Sequence, residues 1–205
     1  MKKKNIKTII YTIPFILFII LTIFVVTNKI TTIDNTIGEF IISLRNDSLN
    51  NIMIIITNIS GAYALVALSL LILIIIKKKR IPLLITINLI MVTIVSQIAK
   101  FIIKRPRPIN ISLVEPIGYS YPSGHSMVSM AYFGFLLYLT YKKVNNKPLK
   151  YFLITILTLL IIAIGFSRIY LGVHYFSDVL GGYLLSLSYL FIFITLTKKF
   201  FGEKL

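Results

Sequence analysis

The chain has 205 residues, of which 57% are hydrophobic and only 14% are charged, against about 45 to 50% and about 25% in an average soluble domain. The mean hydropathy is +0.90, and a soluble core of this length cannot hide that much apolar surface. Several apolar runs reach the ~20 residues that a helix needs to cross a ~30 Å hydrocarbon layer. The composition predicts an integral membrane protein.

The net charge of +16 could suggest a nucleic-acid partner. The Lys and Arg residues, however, come in short blocks between apolar runs and not along one polar face, so they indicate membrane topology. The chain has no Cys and only two His, which excludes disulfides, thiolate nucleophiles and Cys-ligated zinc, and leaves little material for a metal site. We expect no nucleic acid, metal or cofactor, and infer no obligatory protein partner.

Six apolar runs predict six transmembrane helices, since a helix satisfies its own backbone in lipid. The first follows a basic start that resembles a signal peptide, but its run is too long and no A-x-A-like cleavage site follows, so we expect a permanent span. The fourth and fifth runs are short, so polar residues should extend them at one end. The predicted spans are Thr8 to Thr27, Ile52 to Ile76, Ile81 to Ile103, Ser126 to Tyr141, Tyr151 to Gly165 and Val179 to Thr197.

The basic residues in the connections predict the orientation of the bundle. Fifteen Lys and Arg residues fall on the side of both termini and seven on the other. Cytoplasmic segments carry the excess of Lys and Arg. The bias predicts a multi-pass protein of the cell membrane with both termini in the cytoplasm and residues 28–51, 104–125 and 166–178 outside.

Residues 34–45 repeat apolar side chains at Ile37, Ile41 and Leu44, a helical spacing. This pattern favours a short amphipathic helix on the outer membrane surface, and it suggests no chemistry. Without an internal repeat or a soluble insertion, the predicted architecture is all-α: a polytopic bundle forming one domain over residues 1–205.

Four basic residues within "AKFIIKRPRP" lie on the predicted outer side, against the usual bias. A bound anion would explain them, although Lys104 and Arg105 could equally snorkel to lipid headgroups. Lys100 is different, because a lone ammonium inside an apolar run is costly and usually functional.

Two further segments carry the histidines. In "YPSGHSM", Ser123 can cap the fourth span, Gly124 permits close approach of a ligand, and free N–H groups favour an anion; an ordinary capped helix beside His125 is the alternative. In "SRIYLGVHYFSDVLGG", His174 and Asp178 are four residues apart. On a helix they would face one way, and the carboxylate could fix the imidazole tautomer. A purely structural pair is the alternative.

The predicted topology brings these segments to one membrane face. Two imidazoles, a carboxylate, three cations and a helix N-terminus would then converge. Phosphoryl transfer requires such a set: donors for the equatorial oxygens, a nucleophile in line and an acid for the leaving group.

The three segments together resemble the ordered signatures of the type-2 phosphatidic acid phosphatase family. Eleven positions match in order: Lys100, Arg107, Pro108, Pro122, Ser123, Gly124, His125, Ser167, Arg168, His174 and Asp178. The resemblance implies a metal-independent membrane lipid phosphatase or diphosphatase. Bacterial members of this size hydrolyse undecaprenyl diphosphate, phosphatidylglycerophosphate or phosphatidic acid, and the sequence does not choose among these lipids.

The resemblance also implies a role for each site residue. His174 would attack phosphorus and form a phosphohistidine, Asp178 would orient it, and His125 would protonate the leaving oxygen. The same family pattern gives no metal ligand and implies inhibition by vanadate. The phosphate would be bound by Lys100, Arg107, Ser123, Gly124 and Arg168.

Two other functions compete with hydrolysis. A lipid phosphotransferase would pass the phosphoryl group from His174 to another lipid instead of water. A phosphate-lipid transporter would bind without cleaving, but it has no use for a His–Asp pair beside an anion site, and paired broken spans are not evident.

Overall fold

The computed structural model describes residues 2–77, 79–109 and 111–202, with side chains from residue 11 onward. Within these ranges the chain forms eight helices and no strand. The helices are α1 (Lys2–Val26), α2 (Thr31–Ser43), α3 (Asp47–Ile59), α4 (Ala62–Ile75), α5 (Arg80–Ile103), α6 (Gly124–Lys143), α7 (Lys147–Tyr170) and α8 (Phe176–Phe201).

Three of these helices, α5, α7 and α8, are long and apolar enough to cross a bilayer. The pairs α1/α2 and α3/α4 are bent by 93° and 51°, and each pair passes the same test as one broken span, giving up to five spans in the described chain. The predicted all-α membrane fold is confirmed. The count of six spans remains a prediction, because α6 begins with the polar residues around His125 and is not among the candidates.

Polar ends extend the two short predicted spans, as expected. The fourth run becomes α6, which begins where the Ser123 side chain accepts a hydrogen bond from the N–H of Ser126. The fifth becomes α7, which begins at the Asn146 cap and runs five residues past Gly165 to Tyr170. The extension of α7 carries Arg168 and so brings a polar group to the helix end.

Helix α6 lies at the centre of the bundle, packed against α5, α7 and α8, while α1 packs on α8. Its aromatic residues Tyr132 and Phe135 are completely buried. Large apolar side chains on the outer helices stay exposed, among them Ile23, Ile74 and Ile102. An apolar outer surface around a packed centre is typical of a helical bundle in lipid.

Glycines let α8 approach the start of α6. A Cβ added at Gly182 would lie 2.8 Å from the carbonyl oxygen of Ser123 and 3.1 Å from Cβ of Ser126. A Cβ at the neighbouring Gly181 would lie 2.6 Å from the Tyr121 ring. Small residues permit such close approach of transmembrane helices. These glycines therefore set the distance between two of the three segments that resemble the family signatures.

We expect Gly182→Ala to destabilise the protein, because the added methyl group must push α8 away from backbone atoms. Overpacking of this kind costs about 1–3 kcal/mol, and thermal unfolding in detergent will measure the loss. The matched control is Gly38→Ala in α2, where an added Cβ meets nothing within 4 Å. That variant should unfold at the same or a higher temperature, since Ala favours a helix over Gly by up to about 1 kcal/mol. Equal melting temperatures for the two variants would contradict the packing argument.

Candidate active site

Three basic residues predicted to bind phosphate meet in the structure, and we call them the cation cluster: Lys100, Arg107 and Arg168. They come from the last turn of α5, the connection that follows it and the last turn of α7. Lys100 interacts electrostatically with both arginines. Lys100 and Arg168 are only 7% and 6% exposed, so little water screens their mutual repulsion.

The hydrogen-bond acceptors of the cation cluster are neutral oxygen atoms and, for Arg107, the Nε2 atom of His174. None of the ion pairs in the described part of the chain includes a member of the cluster. The Nε of Arg168 is buried without any hydrogen-bond partner. Among the described residues the cluster therefore has no carboxylate in contact with it, although Asp178 attracts Lys100 and Arg107 at longer range. Such a cluster is suited to an anion. Its acceptors are the carbonyls of Tyr119 and Ser120 for Lys100, the carbonyls of Ile117, Gly118 and Val173 for Arg107, and the Thr57 hydroxyl for Arg168.

The N-terminus of α6 lies beside this cluster. A Cβ at Gly124 would be 3.6 Å from Cε of Lys100. The Ser123 side chain accepts a hydrogen bond from the Ser126 hydroxyl at 3.0 Å, and the Ser123 N–H donates to the Asp178 carbonyl at 2.9 Å. The first N–H groups of a helix have no intrahelical acceptor, and they favour an anion.

His174 and Asp178 are in contact, but they do not share a helix face as the spacing argument assumed. Helix α8 begins at Phe176, so His174 precedes it. Nδ1 of His174 lies 3.3 Å from Oδ2 of Asp178. The same Oδ2 accepts a hydrogen bond from the N–H of Tyr175 at 2.9 Å. Asp178 thus caps the start of its own helix and holds the preceding residue against its carboxylate.

The other nitrogen of His174, Nε2, faces the cation cluster, 3.4 Å from Nη1 of Arg107. His174 is 3% exposed. Burial lowers the pKa of His174 below its ordinary value, and Asp178 only partly opposes this effect. A neutral imidazole whose Nδ1–H is directed at a carboxylate carries its lone pair on Nε2, as a nucleophile requires. In the structure this lone pair accepts the 3.4 Å hydrogen bond from Arg107.

His125 also lies near the cation cluster and His174. It interacts electrostatically with Arg168, His174, Arg107 and Lys100. The structure therefore brings together all eight site residues predicted from the sequence: Lys100, Arg107, Ser123, Gly124, His125, Arg168, His174 and Asp178.

Several residues that contact the site were not predicted from the sequence. Residues 34–45 suggested no chemistry, yet Asp34 is 1% exposed and forms an ion pair with Arg105. Arg105, left undecided between a bound anion and snorkelling, pairs with Asp178 as well. Ser120 donates to the Asp178 carboxylate. Scarcity was the available signal: the chain has only six acidic residues, so a buried one invites an explanation.

A cavity of about 430 Å³ adjoins His174. One wall is formed by α2 and the other by the connections before α6 and α8. The lining is mixed, with acidic, amide and aliphatic side chains. The lining residues of the cavity are Asp34, Asn35, Gly38, Glu39, Ile42, Ser43, Pro108, Ile111, Ile169, Gly172, His174 and Tyr175.

Known proteins resemble this chain in sequence and in fold. Residues 81–201 match the family model described as PAP2 superfamily. The chain is 30% identical over 198 residues to phosphatidylglycerophosphatase B of Bacillus subtilis (strain 168), covering 93% of this chain and 94% of that protein. It is 27% identical over 188 residues to an undecaprenyl-diphosphatase of Sulfolobus acidocaldarius, covering 85% of each chain.

The fold matches a solved structure over almost its full length. The crystal structure of a transmembrane PAP2-type phosphatidylglycerolphosphate phosphatase from Bacillus subtilis superposes with a TM-score of 0.85 and 28% identity. The match covers 92% of this chain and 96% of that one. The resemblance drawn from the three sequence segments is confirmed, and the chain belongs to the PAP2 superfamily.

Proposed function

We propose that this chain hydrolyses the terminal phosphate of a lipid phosphate or diphosphate at the outer face of the membrane, through a phosphohistidine. The observation that carries the proposal is the cation cluster without carboxylate partners, placed beside Nε2 of His174. An anion would balance the charge of the cluster, and an unprotonated imidazole nitrogen next to an anion site serves nucleophilic attack on phosphorus.

In the proposed complex, the three cations and the N-terminus of α6 bind the phosphate oxygens. Arg168 contributes the unpaired Nε. Lys100 approaches from the last turn of α5 and Arg107 from the connection after it. Ser123 and the N–H of Gly124 add neutral donors at the helix start. Because these groups are already fixed and largely buried, they stabilise the spreading charge of the transition state without reorganising.

The first chemical step forms the covalent intermediate. Nε2 of His174 attacks phosphorus while the bond to the lipid oxygen, or to the bridging oxygen of a diphosphate, breaks. His125 gives its proton to that leaving oxygen. Asp178 accepts a hydrogen bond from Nδ1–H of His174 and stabilises the positive charge that develops on the ring.

The second step reverses the roles. His125, which has given up its proton in the first step, takes a proton from a water molecule that attacks phosphorus. The N–P bond breaks, phosphate leaves and His174 is restored. Each step routes through side chains already present in the site.

The rest of the substrate lies, by this proposal, in the cavity beside His174. Its mixed lining suits a headgroup with its acyl or prenyl chain leading to the bilayer. The two curated relatives are named for phosphatidylglycerophosphate and undecaprenyl diphosphate, so a monophosphate and a diphosphate lipid are both candidates here, together with phosphatidic acid.

The proposed topology has six spans. They are α1, the bent pair α3/α4, α5, α6, α7 and α8. The excess of basic residues at both termini and in the connections on their side favours their cytoplasmic location. Helix α2 would then lie on the outer side, with the site at the outer interface.

Phosphate release by the purified protein tests the activity. Each lipid is supplied alone in detergent with a chelator: phosphatidylglycerophosphate, undecaprenyl diphosphate or phosphatidic acid. We expect the protein to release free phosphate from at least one of them, at the same rate with and without the chelator. Loss of activity with the chelator would contradict the metal-independent proposal. Transfer of the phosphoryl group to a second lipid without free phosphate would favour the phosphotransferase, and binding without either product would favour the transporter.

The histidines should differ in the size of their effects. His174→Ala removes the nucleophile and should abolish turnover. His125→Ala removes the proton donor and should lower kcat by about 10²- to 10⁴-fold, the usual contribution of general acid–base catalysis. Steady-state kinetics on the preferred lipid will measure both. Full activity of folded His174→Ala protein would refute the phosphohistidine route.

Single cysteines will test the orientation, because the chain has none of its own. Glu115→Cys lies in the connection before α6 and Asn145→Cys in the connection after it, and both positions are exposed. In intact cells a membrane-impermeant thiol reagent should label Glu115→Cys and not Asn145→Cys. The reverse pattern would place the site on the cytoplasmic face.

A further inference from the structure

Arg105 joins two buried carboxylates from distant parts of the chain. Its Nη2 lies 2.7 Å from Oδ2 of Asp34 and its Nη1 lies 2.6 Å from Oδ1 of Asp178. Both aspartate side chains have 0% exposure and that of Arg105 has 12%. Its guanidinium also lies 4.1 Å from the centre of the Tyr175 ring. Only a planar fork of donors can hold two carboxylates in this way.

Asp34 is also bonded to the first turn of α8. Its Oδ1 accepts a hydrogen bond from the N–H of Ser177 at 2.8 Å, and its Oδ2 accepts one from the Ser177 hydroxyl at 2.6 Å. The N–H of Ser177 is one of the groups that α8 cannot satisfy internally. Helix α2 therefore caps α8 from outside, and the helix dipole favours the negative charge there.

The two oxygens of Asp178 have different partners as a result. Oδ1 binds Arg105, whereas Oδ2 accepts hydrogen bonds from the Tyr175 N–H and the Ser120 hydroxyl and faces Nδ1 of His174. The terminal torsion of an aspartate is intrinsically broad. Arg105 therefore restricts the rotation that decides whether Oδ2 points at the imidazole.

We propose that Arg105 and Asp34 are positioning residues for the reaction: they fix the Asp178 carboxylate and the first turn of α8, so that Nε2 of His174 stays directed at phosphorus. They act through Asp178 and not on the phosphate. The inference rests on the proposed function and adds α2 to the catalytic machinery.

A purely structural role is the main alternative, in which the ion pairs only fasten α2 to the bundle. Such a role would lower stability whatever residue stands at position 178. A positioning role requires the Asp178 carboxylate, so its effect on kcat must disappear when that carboxylate is gone. A double-mutant cycle separates the two.

The cycle combines Arg105→Gln and Asp34→Asn with Asp178→Asn. The substrate is dioctanoyl phosphatidic acid in detergent micelles, or whichever lipid the wild type cleaves. With Asp178 present, each substitution should lower kcat by roughly 10- to 100-fold with little change in KM, as is usual when a partner that orients a reacting group is lost. In the Asp178→Asn background the further loss should stay below about 2-fold, which is the usual uncertainty of a double-mutant cycle.

Matched controls have the same charge change without the buried contacts. Lys104→Asn neutralises the exposed neighbour of Arg105 and tolerates its positive φ of 53°, and Asp47→Asn removes an exposed carboxylate at the start of α3. Both should keep the wild-type kcat. Unchanged inhibition by vanadate will verify that the anion site of each variant is intact.

Three results would overturn the inference: wild-type kcat in the single variants, an equal loss in both backgrounds, or a change confined to KM. If Arg105→Gln does not fold, Asp34→Asn alone completes the cycle. Arg105→Lys should fall between wild type and Arg105→Gln, because an ammonium is a point charge and not a fork. A wild type that releases no phosphate from any lipid would instead contradict the proposed function, so the two failures are distinguishable.

Discussion

Repulsion among three clustered cations, two of them buried, is the constraint on which this structure depends. Lys100, Arg107 and Arg168 interact electrostatically with one another, and in the described chain none has a carboxylate partner. Placing like charges at low exposure is unfavourable. The fold opposes this cost with backbone carbonyls, which accept hydrogen bonds from Lys100 and Arg107 without neutralising their charge. The cluster therefore keeps its positive charge, which favours an anion.

The nearby carboxylate is kept out of this cluster by a fourth cation. Asp178 interacts electrostatically with both Lys100 and Arg107, so a free Asp178 would compete with phosphate for the cluster. Arg105 prevents this, because it holds Asp178 and Asp34 in a separate network. Burial alone would lower the pKa of Arg105, but the two aspartates outweigh it and raise that pKa. The charges are thus divided into an ion-paired network around Arg105 and a cation cluster without carboxylate contacts.

The cation cluster could be predicted from the sequence, but the ion-paired network around Arg105 could not. Lys100, Arg107, His125 and His174 were identified because each sits at a fixed spacing from its neighbours and because the apolar runs between them bring the segments to one end of the bundle. Asp34 was missed since its partner Arg105 is 71 residues away, and no local pattern records such a pairing.

Local periodicity also misled in one instance. The four-residue spacing of His174 and Asp178 predicted a shared helix face, whereas the contact forms across a helix start. Tertiary contacts from Asp34 and Ser120 complete that geometry, and a spacing rule for helices contains no information about them. The bent pairs α1/α2 and α3/α4 were likewise outside the reach of hydropathy, which measures length and composition but not direction.

The two roles of arginine in "KRPRP" follow from the backbone. A residue before proline is driven into an extended conformation, and both Arg105 and Arg107 precede a proline. In extended chain, side chains two residues apart point to the same side. Arg105 and Arg107 therefore reach the start of α8 together, one at Asp178 and the other 3.4 Å from Nε2 of His174. The two prolines thereby place two cations on opposite ends of a single imidazole–carboxylate pair.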